Sequence, residues 1–261
     1  MYPTLFLGRY PLSMYYFFPF LALLLVFSLG VWWNYAYGRR YRISIWITLW
    51  AIVPGFLTGR LAYFITHTCP RSTESFWDLS SGGNLAIGAF AGSIVGVLAY
   101  LKYRHVPVGE GMDLFAPYVP LGGFLGRIGC LCYGCCFGQP TSLPWAISFD
   151  GSSPAFIAQV NSNLLSPLAA FPLPVHPSQI YAMLAWLIIG AVLIRSRYWG
   201  LPAGGITFFL ICLYLMKRIL LDFFRGDHPR VLWNMNSTQI VAVFLLLICF
   251  GIFIFRVIRN G

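Results

Sequence analysis

Four basic residues, Arg60, Arg127, Lys217 and Arg218, fall inside long apolar runs. Near the centre of a membrane helix each would cost at least about 2.5 kcal/mol, so such residues generally face a polar cavity or a partner and mark function. Guanidinium groups are permanently charged and grip phosphate through paired N–H···O bonds, so several together point to an anion site, with a lipid phosphate as the obvious occupant. For any one of them, snorkelling to the headgroups or structural pairing explains the residue equally well. Around Arg218 the pattern is longer: Tyr214, Arg218, Asp222 and Arg225 follow at spacings of four, four and three. That spacing draws one polar stripe on an apolar helix, with Asp222 placed to pair with Arg218 and fix its rotamer.

The segment from Gly126 to Gly138 holds Arg127, four glycines and four cysteines. The four glycines, Gly126, Gly129, Gly134 and Gly138, allow irregular backbone and close approach of a ligand, which at membrane depth requires a buried or wet setting. Cys130, Cys132, Cys135 and Cys136 raise a metal reading, but Cys-x-Cys-x2-Cys-Cys is not a common zinc spacing, no His is near, and adjacent cysteines rarely ligate one ion. No metal is therefore expected. Further on, His176-Pro177-Ser178-Gln179-Ile180-Tyr181 opens another apolar run. Ser178 reads as a helix N-cap, and His176 and Gln179 as candidate contacts to a polar headgroup.

The elements that must carry these residues follow from composition. Of 261 residues, 59% are hydrophobic and only 9% charged, which excludes a water-soluble globule, and disorder too, since that needs low hydrophobicity and high charge. Seven apolar runs near 12–33, 44–66, 84–101, 112–131, 178–194, 203–224 and 238–255 are long enough to cross a hydrocarbon core. The expected fold is all-α: one polytopic integral-membrane domain over 1–261 with about seven transmembrane helices and a proline-rich outer loop at about 138–177. The first run lacks the basic start and cleavage pattern of a signal peptide and reads as a membrane helix. Gly88, Gly92 and Gly96 fall on one helix face and read as a packing surface.

The net charge of +10 suits nucleic acid or an anionic membrane surface. Nine of the seventeen basic residues, Arg39, Arg40, Arg42, Lys102, Arg104, Arg195, Arg197, Arg256 and Arg259, lie in one alternate set of connections. Arg9, Arg71, Arg225 and Arg230 lie in the other. The imbalance predicts an N-terminus outside and a cytoplasmic C-terminus, and leaves nucleic-acid binding without a motive. At 1.5 Å per residue, Arg60, Arg127 and Arg218 then share a layer roughly 22–24 Å from the inner edge, and Tyr16 enters the same layer from the outer side.

With these pieces in hand, the chain resembles the bacterial prolipoprotein diacylglyceryl transferase family. The resemblance rests on Gly59-Arg60-Leu61-Ala62-Tyr63, Gly126-Arg127-Ile128-Gly129, His176-Pro177-Ser178-Gln179-Ile180-Tyr181 and Arg218-x3-Asp222-Phe223-Phe224-Arg225, in the family's order. It implies transfer of the diacylglyceryl group of phosphatidylglycerol to the lipobox cysteine of a prolipoprotein at the bacterial cytoplasmic (inner) membrane, without cofactor or metal. The implied partners are phosphatidylglycerol, the prolipoprotein lipobox segment and membrane lipids, with no nucleic acid. Arg127, Arg218, Tyr16 and Tyr214 match the family's catalytic positions, and Arg60, Asp222, Arg225, Gly126, Gly129, His176 and Gln179 are expected around the substrate. The chain departs from the family pattern at Asp222, where Glu is usual, at Cys130 and Tyr133, where Asn is common, and at Ile87, where a His or Tyr stands. Two other readings stay open: a catalytically silent paralogue that binds phospholipid or lipoprotein, and a transferase acting on a different acceptor.

Overall fold

The computed structural model describes residues 4–7, 10–36, 43–66, 86–166, 168–227 and 230–260. Arg9, Arg39, Arg40, Arg42, Cys69, Arg71 and residues 82–84 lie outside the described residues, as do the side chains of Tyr16, Ile87, Arg256 and Arg259. Every expected apolar run carries helix. The helices are α1 (Met14–Ala36), α2 (Ile47–Thr66), α3 (Ala86–Tyr103), α4 (Val108–Phe115), α5 (Val119–Tyr133), α6 (Pro154–Asn161), α7 (Ser178–Ser196), α8 (Gly205–Leu221) and α9 (Ser237–Asn260). Two short antiparallel hairpins, β1 (Thr4–Leu7) with β2 (Tyr10–Ser13) and β3 (Arg230–Leu232) with β4 (Met235–Asn236), qualify the all-α expectation. The second hairpin turns through Trp233 and Asn234, both at positive φ.

By length and composition, four described helical stretches can cross a membrane: Phe17–Ala36, Ile47–Thr66, Val108–Tyr133 and Ser178–Ser196. The third begins earlier than expected. It runs through α4, a 3-10 turn at Ala116–Tyr118 and α5, because Pro117 and Pro120 supply no N–H to a continuous α-helical ladder.

The chain divides into two compact units, Leu23–Phe115 and the remainder. In the first, α2 and α3 meet along the predicted glycine face. Side chains at Gly92 or Gly96 would run into the backbone of Pro54 and Trp50, and at Gly88 into Thr58 and Ala62. The close approach lets the Thr58 hydroxyl donate to Gly88 O at 2.7 Å and the Ser93 hydroxyl to Ala51 O at 2.9 Å, the small-residue packing that membrane helices use where apolar burial gives no preference. Phe27, Val31, Ile47, Ala51, Leu101 and Phe115 form this unit's core.

In the other unit, Trp186 of α7 lies against Gly123 of α5, while Ile189 and Leu193 pack against Phe209, Leu210 and Leu213 of α8. The segment expected as a loop at about 138–177 is folded in its own right. Pro140 and Ile147 both bridge to Val175, and Ser153 caps α6 by accepting from Phe156 N at 3.3 Å. Buried Gln159 binds Leu173 through both backbone groups, and Phe137, Phe149, Ala155 and Val175 form a small core beneath. Prolines at irregular intervals hid this order from a reading by periodicity.

Replacing Gly96 by Leu is expected to separate α2 from α3. The clash is with backbone, so a cost at or above the usual overpacking range of about 1–3 kcal/mol should appear as a lower unfolding temperature in detergent, with Gly251→Leu, whose Cβ meets open space, as the neutral control.

Candidate active site

The site is organised by one acid. Asp222 follows the last turn of α8, is 1% exposed and opens a 3-10 turn, Asp222–Phe224. Its Oδ2 accepts from Arg218 Nε at 2.9 Å, the predicted i,i+4 pair, and its Oδ1 lies 3.7 Å from an Arg225 nitrogen. Arg225 sits beyond the helix on extended backbone and bonds Asp227 through two parallel contacts of 2.8 and 2.6 Å. The predicted stripe is thus helical only as far as Leu221, and the turn that follows brings Arg225 back beside Asp222.

The start of α9 completes the acid's shell. Asn236 and Gln239 form a reciprocal cap: Asn236 Oδ1 accepts from Gln239 N at 2.8 Å, and Gln239 Oε1 from Asn236 N at 2.9 Å. The cap directs Asn236 Nδ2 to Asp222 Oδ2 at 3.3 Å and places the Thr238 hydroxyl 2.8 Å from the same oxygen. Thr238 also accepts from Arg218 at 3.1 Å, so helix, acid and arginine are locked together. Arg230 closes the hairpin over this shell by donating to the carbonyls of Phe223, Asn234 and Asp222. Sequence reading missed Asn236, Thr238 and Gln239. The Asn-x-x-Gln capping pattern ahead of an apolar run was the available signal.

Beside this shell is a narrow pocket lined by Arg127, Cys136, Ser178, Ala182, Lys217, Arg218, Leu221, Asp222 and Arg225. Four cations face it and one carboxylate. Among the described residues, Asp222 and Asp227 are engaged by Arg218 and Arg225, which leaves Arg127 and Lys217 with no carboxylate. Lys217 Nζ instead lies 3.9 Å from the Trp186 ring centroid and 5.3 Å from that of Tyr214. Such contacts hold an ammonium without neutralising it. Sequence reading noted Lys217 as an intramembrane charge and did not place it in the site.

The pocket's remaining wall is the turn after α5. Gly134 takes the left-handed conformation, and its N–H and that of Cys135 both return to Cys130 O, at 2.9 and 3.2 Å. The start of α7 grips the same turn. The Ser178 hydroxyl donates to Cys136 O at 2.5 Å and Gln179 Nε2 to Cys135 O at 2.8 Å. Ser178 therefore does not cap α7: Pro177 occupies the cap position, and the serine serves a carbonyl that burial would otherwise leave unpaired. The adjoining Cys130 and Cys135 thiols, followed by the fields of Arg127 and Arg225, hold the Cys136 thiol below its ordinary range.

The other expected residues fall as follows. Arg127 and Arg218 meet at the pocket, with Asp222 and Arg225. Tyr214 stacks on Trp186 at 5.8 Å and buttresses Lys217 without lining the pocket. Of the four glycines expected to allow irregular backbone, Gly126 and Gly129 lie in regular α-helix. Gly129 packs against Met14 O and Phe18, and a Cβ at Gly126 would meet open space. Gly134, another of the four, is where the helix breaks. His176 stands among aromatic rings, 5.5 Å from Phe224 and 6.1 Å from Tyr181, whose hydroxyl is 3.3 Å from His176 Nδ1. Gln179 is fully buried, and its Oε1 meets no donor among the described residues. Arg60 belongs to the other unit, where it is 2% exposed with its guanidinium 5.4 Å from the Phe64 ring centroid. The Tyr16 side chain lies outside the described residues.

Fold and site together define a helical membrane protein with a cation-lined pocket in one of its two units. The chain belongs to the prolipoprotein diacylglyceryl transferase family, whose model matches residues 4–255. It is 29% identical over 210 residues to the phosphatidylglycerol–prolipoprotein diacylglyceryl transferase of Clostridium tetani (strain Massachusetts / E88), covering 80% of this chain and 78% of the relative. Transferases of the same name from Rhizobium leguminosarum bv. trifolii (strain WSM2304), 26% identical over 79% of this chain and 75% of the relative, and from Nitratidesulfovibrio vulgaris (strain DSM 19637 / Miyazaki F), 28% identical over 81% and 74%, are similar over comparable lengths.

Asp222→Asn leaves the half-buried Arg218 without a counter-charge and Arg225 with Asp227 alone, around a carboxamide that keeps only part of the buried hydrogen-bond shell. It is expected to cost about 3 kcal/mol, on the order of 6–12 °C in unfolding temperature, while Thr238→Val, which removes one hydroxyl, should cost about half as much. Thermal scans of the detergent-solubilised variants measure both.

Proposed function

We propose that this chain transfers the diacylglyceryl group of phosphatidylglycerol to the lipobox cysteine thiol of a prolipoprotein, as its family and the names of its relatives suggest. The observation that carries the reading is the charge imbalance of the pocket: of Arg127, Lys217, Arg218 and Arg225, the last two take up Asp222 and Asp227, which leaves Arg127 and Lys217 unbalanced by any carboxylate among the described residues. A phosphodiester supplies the missing anion, and Arg127 grips it through a planar fork that a lysine lacks.

In the reaction, the acceptor's sulfur forms a bond to the glyceryl carbon of the lipid as that carbon's bond to the phosphate oxygen breaks. The thiol proton is released and glycerol phosphate departs. A phosphodiester carries one negative charge and the departing monoester gains up to one more, so cations aimed at the phosphate stabilise the transition state more than the bound lipid. The same field favours the thiolate over the thiol, whose ordinary pKa is about 8.5. Arg127 and Arg218 are the catalytic residues in this reading, with Lys217 and Arg225 adding charge. Asp222 acts through Arg218 and is a positioning residue. Tyr214 supports Lys217, and Tyr16, Arg60, His176 and Gln179 are assigned roles toward the substrate from the resemblance alone. Seven spans, an external N-terminus and a cytoplasmic C-terminus in the bacterial inner membrane complete the proposal, supported by the distribution of basic residues.

The test is label transfer from phosphatidylglycerol, labelled in its acyl chains, to a lipobox peptide by purified protein. Arg127→Ala and Arg218→Ala should each lower the rate by about 10²–10³-fold, the usual loss for a donor aimed at developing charge. Arg127→Lys should recover only part of it. Full activity in either alanine variant would refute the site, and lipid binding without transfer by the unaltered protein would favour the silent paralogue.

A further inference from the structure

The cysteines after Arg127 have no part in the proposed transfer, yet the fold gathers three of them. The Sγ atoms of Cys130, Cys135 and Cys136 all lie within 4.8 Å of one another, while Cys132 is outside the group. Tetrahedral zinc bound to thiolates at about 2.3 Å spaces its sulfurs about 3.8 Å apart, so rotamer adjustments of less than about 1 Å would bring all three onto one ion.

Adjacent cysteines seldom share an ion because neighbouring side chains on extended backbone point to opposite sides. Here Cys136 adopts φ +57°, a left-handed conformation uncommon outside glycine, and its thiol turns back toward that of Cys135. The third sulfur is tied to the same turn, since Cys130 O accepts the N–H groups of both Gly134 and Cys135. From the far side, Ser178 and Gln179 pin the carbonyls of Cys136 and Cys135. Backbone contacts thus fix all three ligand positions, the preorganisation that metal sites require. Charge agrees with geometry. A divalent ion with three thiolates carries net charge −1, and it would stand beside a pocket whose lining has four cations and one carboxylate.

We propose that Cys130, Cys135 and Cys136 form a binding site for a thiophilic d10 cation of the zinc class, adjoining the pocket through Cys136. The site is tested without the transfer reaction. The full-length, reduced, chelator-treated protein in detergent is titrated with Cd2+, followed by the ultraviolet sulfur-to-cadmium charge-transfer band, and the bound ion is displaced with Zn2+. One equivalent per chain is expected, with affinity at least tenfold weaker in Cys130→Ser, Cys135→Ser and Cys136→Ser and unchanged in Cys132→Ser. X-ray absorption at the zinc edge of the unaltered protein, which needs no variant to fold, should count three sulfur neighbours at about 2.3 Å. A shell of nitrogen and oxygen alone, binding unaffected by the three serine variants, no binding, or recovery of two of these thiols as a disulfide from the zinc-treated protein would each overturn the proposal.

Discussion

A carboxylate removed from water must be surrounded by donors, and Asp222 is the residue on which this constraint falls hardest. At 1% exposure it draws contacts from Arg218, Arg225, Asn236 and Thr238. Those four come from the end of α8, the extended residue beyond it and the start of α9. The need to satisfy one buried charge therefore dictates how two helices and a hairpin close on each other. Arg218 gains a fixed direction from that closure, and a guanidinium that does not reorganise is worth more to a developing negative charge than one that must.

The electrostatics of the pocket follow from what Asp222 leaves undone. It and Asp227 account for Arg218 and Arg225, and the aromatic faces of Trp186 and Tyr214 hold Lys217 without cancelling its charge. A concentration of positive charge in apolar surroundings is unfavourable without an anion, which makes binding of a phosphate group and stability of the site two aspects of one balance. In the transferase reading the balance tightens as the leaving phosphate gains charge.

The wall opposite α8 depends on a different device. The turn at Gly134–Phe137 has no regular structure of its own. The first residues of α7 hold it, and Gly138 N–H and Gln139 N–H reach across to His176 O and Phe224 O. The folded 138–177 segment thereby ties the turn after α5 to the 3-10 turn after α8. A region that looked like a connecting loop is the piece that joins the two ends of the pocket.

The sequence by itself determined that the chain is a helical membrane protein, where its seven long apolar runs turn helical, that Arg218 pairs with Asp222, that Gly88, Gly92 and Gly96 make a packing face, and that Arg127 and Arg218 are the residues to watch. All of these are written in spacing along one helix or in the cost of charge among apolar residues, and both are local properties. Tertiary structure alone decided that Lys217 joins the site, that Asn236 and Thr238 complete the shell of Asp222, that Ser178 serves a carbonyl instead of capping its helix, and that Cys130, Cys135 and Cys136 converge. Each depends on a partner far along the chain or on a single residue's backbone angle, and a pattern of residue types records neither.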